Sequence, residues 1–335
     1  MTHFSGLLDL ARLPYFDVRD GRLVLADPSL GPAIDVHTHL ALSFGNRGNV
    51  DLRAAPRPAE HFLSAERALD FDVYQNRNFT PVDLTLMRRE LSLHALCPVN
   101  CGGRRVTHTL PNLTREMNEL GITRSVLLPI DMPLISRNAD AWLEAAKGNT
   151  QVLCFGSVHP FDPFRRRKLD AQITAGIRGL KVHPAVQLVP PDHDRCMSLY
   201  RLCGERHLPV LFHCGPTDIE TERGRRCSQV ALYERAVAEC PETRFVLGHA
   251  GALQLEEGLG LAERYPNVYL EIASQSLPGV RRILERAAPE RVMYGSDWPF
   301  YHQAIGLAKV FLATEGAPSL RRSILSENAC RLFGL

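Results

Sequence analysis

Residues 33–40 read AIDVHTHL, and this stretch predicts a buried strand that carries two histidines on one face. Ile34 and Val36 make the segment apolar, and the side chains of a strand alternate between its two faces. His37 and His39 therefore project from the same face. Neutral imidazole is the commonest metal ligand in proteins, so the pair could supply half of a zinc-type site. The motif alone does not separate a metal site from packing or chance.

Seven further apolar runs, rich in Val, Ile and Leu and bounded by turn residues, follow along the chain. Runs of this length are typical of a parallel sheet that is covered on both faces. Segments with helical periodicity lie between most of them, so the pattern predicts an α/β fold of the (β/α)8 TIM-barrel type. The predicted strands are 33–40, 125–130, 152–159, 177–183, 209–213, 244–249, 268–273 and 292–297, and the predicted helices include 139–147, 194–207, 228–239, 279–287 and a closing helix at 320–333.

Two segments lie outside this barrel pattern. Residues 1–32 form an N-terminal extension, in which Asp20-Gly21 between the short apolar runs FDV and RLVLA predicts a small hairpin. Residues 41–113 form a long insertion after strand 1, with helices predicted over 60–69 and 83–96. An insertion at this point lies on the catalytic face of a barrel, where it can act as a lid. The barrel with its insertion is expected to span 33–335.

The composition of the chain is that of an ordinary soluble globular protein. Of its 335 residues, 45% are hydrophobic and 23% are charged, and the net charge of +2 comes from dispersed residues. These values favour a small-molecule substrate and argue against a nucleic-acid or membrane partner. The sequence shows neither a transmembrane run nor the pattern of a signal peptide. Its nine cysteines, several of them in predicted strands and helices, indicate reduced thiols, so we expect a cytoplasmic protein.

Polar side chains gather where the predicted barrel strands end, and the catalytic residues of a barrel come from these ends. Asp297 ends strand 8 in YGSDWPF, and Lys181 shares a face with His183 in GLKVHP. Burying so many ionisable groups on one rim without a metal or ligand would be costly. The sequence therefore predicts a functional site there. The histidines at strand ends are His37, His39, His159, His183, His213 and His249.

These residue types also form a chemically sensible set. The imidazoles of His37, His39 and His213 and the carboxylate of Asp297 would bind one divalent cation, with zinc favoured and manganese, iron or cobalt open. Such a metal lowers the pKa of water toward about 7. Asp297 could then accept the proton of that water. His249 could orient the water or protonate a leaving group.

The motifs DVHTHL, GLKVHP, LFHCG, LGHAG and YGSDWPF, in this order, resemble the amidohydrolase superfamily. The most similar branch is the amidohydrolase-related group that includes aminocarboxymuconate-semialdehyde decarboxylase. The resemblance covers about residues 33–335, and the ending SENACRLFGL resembles the last helix of that branch. It implies a metal-dependent enzyme with His37, His39, His213 and Asp297 as ligands and His249 as a catalytic histidine. The habits of the family also suggest a homodimer.

Lys181 leaves the number of metals open. In binuclear members of the superfamily, a carboxylated lysine of strand 4 bridges two metals. Lys181, His213 and His249 would then hold the second ion. In the mononuclear arrangement, which we favour, Lys181 would instead bind an anionic group of the substrate. His183 and His159 are further candidates for substrate binding, and capping of a loop is an equally good interpretation of His159.

The insertion contains two further groups with open interpretations. His94, Cys97, Cys101 and His108 could form a structural zinc site, although their spacing is not that of a standard finger and the nearby proline and glycines indicate a mobile loop. A set of arginines could be a solvated basic surface, or one or two of them could hold a substrate carboxylate by paired hydrogen bonds. These arginines are Arg47, Arg53, Arg57, Arg104 and Arg105.

The leading hypothesis for function is a metal-dependent hydrolase that cleaves a C–N or C–O bond in an amide, ester or lactone of a small anionic substrate. The alternative is a metal-dependent decarboxylase that acts on an aromatic or unsaturated carboxylic acid. A non-enzymatic metal-binding protein would require a broken site, and no ligand position is missing from the sequence. The substrate itself is not encoded in the barrel motifs.

Overall fold

The computed structural model describes residues 2–45, 49–91 and 102–335, which fold around a barrel of parallel strands. Two short pairs of antiparallel strands lie outside the barrel. The strands are β1 (His3–Phe4), β2 (Phe16–Arg19), β3 (Arg22–Leu25), β4 (Ala33–Thr38), β5 (Leu69–Asp70), β6 (Ile122–Leu127), β7 (Val152–Cys154), β8 (Gly156–Ser157), β9 (Leu180–Val182), β10 (Val210–His213), β11 (Phe245–Gly248), β12 (Val268–Glu271) and β13 (Val292–Met293).

The barrel is built from β4 and from β6 to β13, which pair in chain order and in parallel. β7 and β8 are two pieces of one barrel strand, so the barrel has eight strands within the described residues. It closes because the main-chain N–H of Val36 donates to Tyr294 O at 3.0 Å and that of Asp297 donates to His37 O at 2.9 Å. The predicted (β/α)8 fold is confirmed.

The helices alternate with these strands and cover them, which explains why β4, β10 and β11 are buried along their whole length. The end of the chain packs on the barrel, where Phe333 contacts Phe155 edge to face. The helices are α1 (Pro81–Arg89), α2 (Leu110–Glu119), α3 (Asn138–Ala146), α4 (Arg165–Thr174), α5 (Pro184–Gln187), α6 (Asp194–Glu205), α7 (Glu222–Cys227), α8 (Glu234–Glu239), α9 (Leu255–Arg264), α10 (Leu277–Arg286), α11 (Gln303–Ala313), α12 (Pro318–Arg322) and α13 (Asn328–Phe333).

The N-terminal extension pairs with itself and with the insertion. β2 and β3 form an antiparallel hairpin, and both residues of its two-residue turn have positive φ, 50° for Asp20 and 71° for Gly21. This backbone is the one that an Asp-Gly turn favours. β1 pairs with β5, which ties the start of the chain to the insertion. The cysteines of the described residues are all free thiols.

The insertion differs in part from its predicted secondary structure. The prediction of a helix over 60–69 is wrong, because the main chain there bonds to the rim of the barrel instead. The N–H groups of Phe62 and Leu63 donate to Pro299 O and Phe300 O at 3.1 and 2.9 Å, and Leu69 belongs to β5. The second helix forms as α1, with Thr80 as its N-cap in a capping box with Asp83.

Several residues of the insertion fall outside the described ranges. They include His94, Cys97 and Cys101 of the suggested zinc site, the end of the helix predicted over 83–96, and Arg47. His108 is described, and its Nε2 lies 2.9 Å from Glu60 O. Across the described ranges, the helices are all too short or too polar to cross a bilayer.

Candidate active site

Five of the six predicted histidines, with Lys181 and Asp297, come from five strands of the barrel and the residues that follow them. His37 lies in β4 and His39 directly after it. Lys181 lies in β9, and His183 follows that strand. His213 ends β10, His249 follows β11, and Asp297 follows β13. Because the strands are parallel, these positions meet at one end of the barrel, where catalytic residues of this fold are found.

The structure brings His37, His39 and Asp297 together as one group of possible metal ligands. Asp297 Oδ1 lies 3.4 Å from His39 Nε2 and 3.7 Å from His37 Nε2. One donor atom from each of the three residues falls within a common radius that one ion could span. Two imidazoles and a carboxylate are the donor types that divalent zinc and its neighbours accept.

The Nδ1 atoms of His37 and His39 already have hydrogen-bond partners. His39 Nδ1 lies 2.7 Å from Leu128 O, which can only accept, so Nδ1 carries the hydrogen and Nε2 carries the lone pair. Burial lowers the pKa of His37 well below its ordinary value, so His37 is neutral. Its Nδ1 donates to Glu271 Oε2 at 2.7 Å, which leaves a lone pair on its Nε2 as well. Lys181 Nζ lies 3.3 Å from this His37 Nε2, and the Nε2 atoms with the Asp297 carboxylate form a donor set that fits a divalent metal.

Glu271 is a further candidate residue of the site, which the motifs of the sequence did not indicate. It ends β12, is fully buried, and accepts hydrogen bonds from the main-chain N–H groups of His249 and Ala273 in addition to that from His37. Burial raises the pKa of Glu271, and the hydrogen bonds from the main-chain N–H groups of Ala273 and His249 act in the opposite direction. A carboxylate behind a metal-binding histidine fixes the tautomer and orientation of the ring. The available signal was a single acid inside the apolar run VYLEIA.

His249 and His213 face each other across the same rim, with ring centroids 4.9 Å apart. His249 Nδ1 lies 3.3 Å from Ala273 O, so its Nε2 presents a lone pair. Burial lowers the pKa of His249 to about 4, although Asp297 acts in the opposite direction. His213 Nε2 is buried without a hydrogen-bond partner in the described part of the chain. His213 lies outside the compact group of His37, His39 and Asp297, and this unsatisfied nitrogen fits a further ligand.

His183 stacks on His213, with ring centroids 4.1 Å apart and planes inclined by 7°. Its Nδ1 accepts a hydrogen bond from the main-chain N–H of Val186. Lys181 is fully buried, and its Nζ lies 3.3 Å from His37 Nε2. Burial lowers the pKa of Lys181 to about 7, while Asp297 and Glu271 act to raise it. Lys181 therefore contacts the group of possible ligands through His37.

A cavity of about 150 Å³ opens over this group, between the barrel rim and the insertion. His37, His39, His183, His213, His249 and Asp297 form its polar floor. Its walls are mostly apolar side chains of the rim loops and of the insertion, including Leu42, Phe44, Met87, Leu91, Ile130, Val186, Ile219 and Phe300. An apolar cavity with a few convergent polar groups is the usual form of a site for a small molecule.

The family model for amidohydrolases matches residues 120–335. The chain belongs to the amidohydrolase superfamily. The members of its branch are hydrolases or decarboxylases that use a divalent metal, so this amidohydrolase is a metal-dependent enzyme. The barrel motifs on which the resemblance rested are those that surround the cavity, and the resemblance is confirmed. Among curated proteins, no sequence matches this amidohydrolase significantly.

Solved structures with similar folds include enzymes of both reaction types. A TIM-barrel protein of Bordetella bronchiseptica is 17% identical, with a TM-score of 0.63 over 90% of this chain and 98% of that chain. A probable 2-pyrone-4,6-dicarboxylic acid hydrolase of Acinetobacter baumannii is 12% identical, with a TM-score of 0.55 over 90% and 99%. A 2,6-dihydroxybenzoate decarboxylase of Rhizobium is 16% identical, with a TM-score of 0.55 over 90% and 99%. At these identities the similarity shows the fold alone.

Other candidates from the sequence lie away from the floor of the cavity. His159 links its own loop to α5, because its Nε2 lies 3.0 Å from Gln187 O and its Nδ1 accepts from the N–H of Phe161 at 3.1 Å. The described arginines of the suggested carboxylate clamp bond elsewhere. Arg53 bonds to Glu144, Arg57 to Glu60 and Gly103, Arg104 to Glu90 and Phe62, and Arg105 to Leu42, Ser43 and Asn49. Arg88 of α1 lines the cavity instead.

Proposed function

We propose that this amidohydrolase is a hydrolase that cleaves a C–N or C–O bond, in an amide, ester or lactone, of a small anionic substrate. The observation that carries the proposal is the position of Asp297. Its side chain is 13% exposed, whereas those of His37 and His39 are 1% and 5% exposed. Asp297 is therefore the member of the ligand group that a water molecule in the cavity can reach.

His37, His39, His213 and Asp297 would hold one divalent metal, most simply zinc, in the mononuclear arrangement. When bound, the metal would polarise the scissile carbonyl and make water more acidic. Asp297 would accept the proton of the attacking water at its carboxylate. His249 is neutral and presents the lone pair of Nε2, so it would orient that water as a hydrogen-bond acceptor.

Decarboxylation of an aromatic or unsaturated acid is the second candidate. The aromatic rings of Phe44, Tyr74 and Phe300 line the cavity and would pack against the flat body of such an acid. Asp297 or His249 would take up a proton from solvent and deliver it to the carbon that loses carbon dioxide. Both reactions use the same ligand group, so they differ in the products and not in the metal.

The two reactions are separated by the fate of solvent oxygen. We would incubate the metal-loaded enzyme in H₂¹⁸O with a panel of small carboxylate-bearing esters, lactones, amides and aromatic acids. Hydrolysis places one ¹⁸O atom in the product and releases no carbon dioxide. Release of carbon dioxide with no ¹⁸O in the organic product would refute the hydrolase and support the decarboxylase.

The role of Asp297 is tested on the substrate found in this way. Asp297→Asn should abolish turnover, because the amide cannot accept the proton and is a poorer metal ligand, while the circular dichroism spectrum stays unchanged. The matched control is Asp20→Asn, at an exposed hairpin turn far along the chain from the cavity. Undiminished turnover in Asp297→Asn would refute the assigned role.

A further inference from the structure

The segment 74–78 of the insertion is fixed to two loops of the barrel rim. The main-chain N–H of Gln75 donates to Ser274 O at 2.8 Å, in the loop after β12. The side chain of Gln75 also accepts a hydrogen bond from the buried amine of Lys309. The carboxamide of Asn76 donates to Thr217 O at 2.7 Å, in the loop after β10. The side chains of this segment are therefore held in place above the cavity.

Tyr74 stands at the start of this segment and lines the cavity, with only 8% of its surface exposed. Its hydroxyl is buried and has no hydrogen-bond partner among the described residues. The Ser274 hydroxyl is close enough to influence the pKa of Tyr74 but does not meet the geometry of a hydrogen bond. Tyr301 behaves differently, because its hydroxyl donates to the Asn76 side chain. Tyr74 thus lines the cavity and carries a hydroxyl that has no partner among the described residues.

The hydroxyl of Tyr74 is suited to donate a hydrogen bond. Burial, together with the nearby Tyr301 and Asp297, raises the pKa of Tyr74 well above its ordinary value, so the group keeps its proton. Burying a hydroxyl without a partner is unfavourable. A ligand in the cavity that offers an acceptor oxygen would remove this cost.

The charges around the cavity favour an anionic acceptor. The group of His37, His39 and Asp297 would carry a net positive charge with a divalent ion bound. Arg88 of α1 also lines the cavity and adds positive charge, while its guanidinium donates to Asp218 O and Ile219 O. The carboxylate of Glu220 also lines it, but this group accepts three hydrogen bonds from Thr217 and Ile219 and is satisfied within its own loop. A carboxylate is a small group that matches both the positive charge and the hydrogen-bond donor.

We propose that Tyr74 is a substrate-binding residue whose hydroxyl donates a hydrogen bond to a carboxylate oxygen of the substrate. The substrate is then a small carboxylic acid with an apolar body that packs against Leu42, Phe44 and Phe300. The proposal rests on the anionic substrate proposed above and names the group that is recognised. It applies whichever bond the enzyme breaks.

The test uses benzoate, a carboxylate on an apolar ring, and isothermal titration calorimetry of the metal-loaded enzyme. The wild type should bind benzoate, and Tyr74→Phe should weaken binding by about tenfold to a hundredfold, the value of one hydrogen bond to a charged group. Tyr200→Phe is the matched control. Tyr200 also has a buried hydroxyl without a partner among the described residues, but it lies in α6 against Phe212 and Phe245, away from the cavity. Its removal should leave the affinity unchanged.

Three results would overturn the proposal. They are a wild type that does not bind benzoate, a Tyr74→Phe enzyme that binds it as tightly as the wild type, and a loss of affinity that is accompanied by loss of metal. The last would show that Tyr74 acts on the structure of the site. Because equilibrium binding does not depend on the reaction catalysed, a failure to find hydrolysis leaves this test intact.

Discussion

In each of the two histidines of DVHTHL, the hydrogen-bond partner of Nδ1 fixes the tautomer of the ring. His39 Nδ1 faces a main-chain oxygen, and His37 Nδ1 faces Glu271, so both Nε2 atoms are left on the side of Asp297, with Lys181 also beside that of His37. The hydrogen bonds thus select the tautomer that a metal requires. The carboxylate of Glu271 also holds the main chain of His249, which links the two sides of the rim.

Glu271→Gln tests this role at the scale of one residue. An amide would place a donor where the carboxylate now accepts hydrogen bonds from His37, His249 and Ala273. We expect the affinity for zinc to fall by about tenfold to a hundredfold, as measured by competition with a chromophoric chelator. Glu290→Gln, at an exposed position, is the control and should have no effect. An affinity of Glu271→Gln within twofold of the wild type would show that the carboxylate does not orient His37.

The polar floor could be predicted residue by residue because a histidine or aspartate at the end of an apolar strand is conspicuous. Glu271 could not be predicted with equal ease, since its role depends on the pairing of β12 with β11 and on a contact across the barrel to His37. Tyr74 gave no signal at all. It lies in an irregular segment whose place above the cavity is fixed only by tertiary hydrogen bonds.

At the scale of elements, α9 shows how the loop that carries His249 is held. Gly258 of this helix packs against the main chain of Ala250, where an added Cβ would lie 2.4 Å from the carbonyl oxygen. The loop cannot easily move, because His249, Ala250 and Ala252 already have positive φ. The loop LGHAG and the helix α9 are therefore packed rigidly against each other.

A pair of glycine substitutions in α9 tests this contact. Gly258→Ala should destabilise the protein by about 1–3 kcal/mol, because the methyl group would push against main chain that cannot yield. Gly260→Ala, two residues along the same helix, meets only the end of the Arg264 side chain and should stabilise it by about 0.4–1 kcal/mol. Urea unfolding measures both. If Gly258→Ala were as stable as Gly260→Ala, the contact would not hold the loop.

Of the two helices predicted in the insertion, one forms and the other does not. Its helix α1 begins with a capping box that is legible in the sequence, Thr80 with Asp83. The helix expected over 60–69 does not form, because the main-chain N–H groups of Phe62 and Leu63 donate hydrogen bonds to the loop after β13. Hydrogen bonds to a distant segment leave no periodic trace, so the pattern could not reveal them.

For the whole molecule, the order of strands was predictable because each strand must bury both faces against its neighbours and the helices. The attachment of the insertion to the barrel was not. Part of that attachment is Lys309 of α11, which is buried and donates to Gln75 of the insertion and to Gln275 O in the loop after β12. Burial lowers the pKa of Lys309 from 10.5 to about 7, and Asp70 acts in the opposite direction.

This shift gives the stability of the molecule a dependence on pH. Above about pH 7 the folded protein releases the proton of Lys309, whereas the unfolded chain keeps it until about pH 10.4, so this residue makes the free energy of unfolding rise with pH in that window. The slope reaches about 1.4 kcal/mol per pH unit. Lys309→Met should remove this contribution, and exposed Lys147→Met should not. The free energy of unfolding is measured with urea at each pH from 7 to 10. If it changed with pH in the same way for the wild type and for Lys309→Met, the prediction would be wrong.

The metal centre is tested most directly by anomalous X-ray scattering. We would collect diffraction data above and below the absorption edge of the metal present in crystals of the metal-loaded enzyme. We expect one strong anomalous peak per chain, within bonding distance of His37 Nε2, His39 Nε2, His213 Nε2 and the Asp297 carboxylate. A second peak beside Lys181 would replace the mononuclear arrangement by the binuclear one. The absence of any peak between His37, His39 and Asp297 would contradict the assignment of this rim as the metal centre.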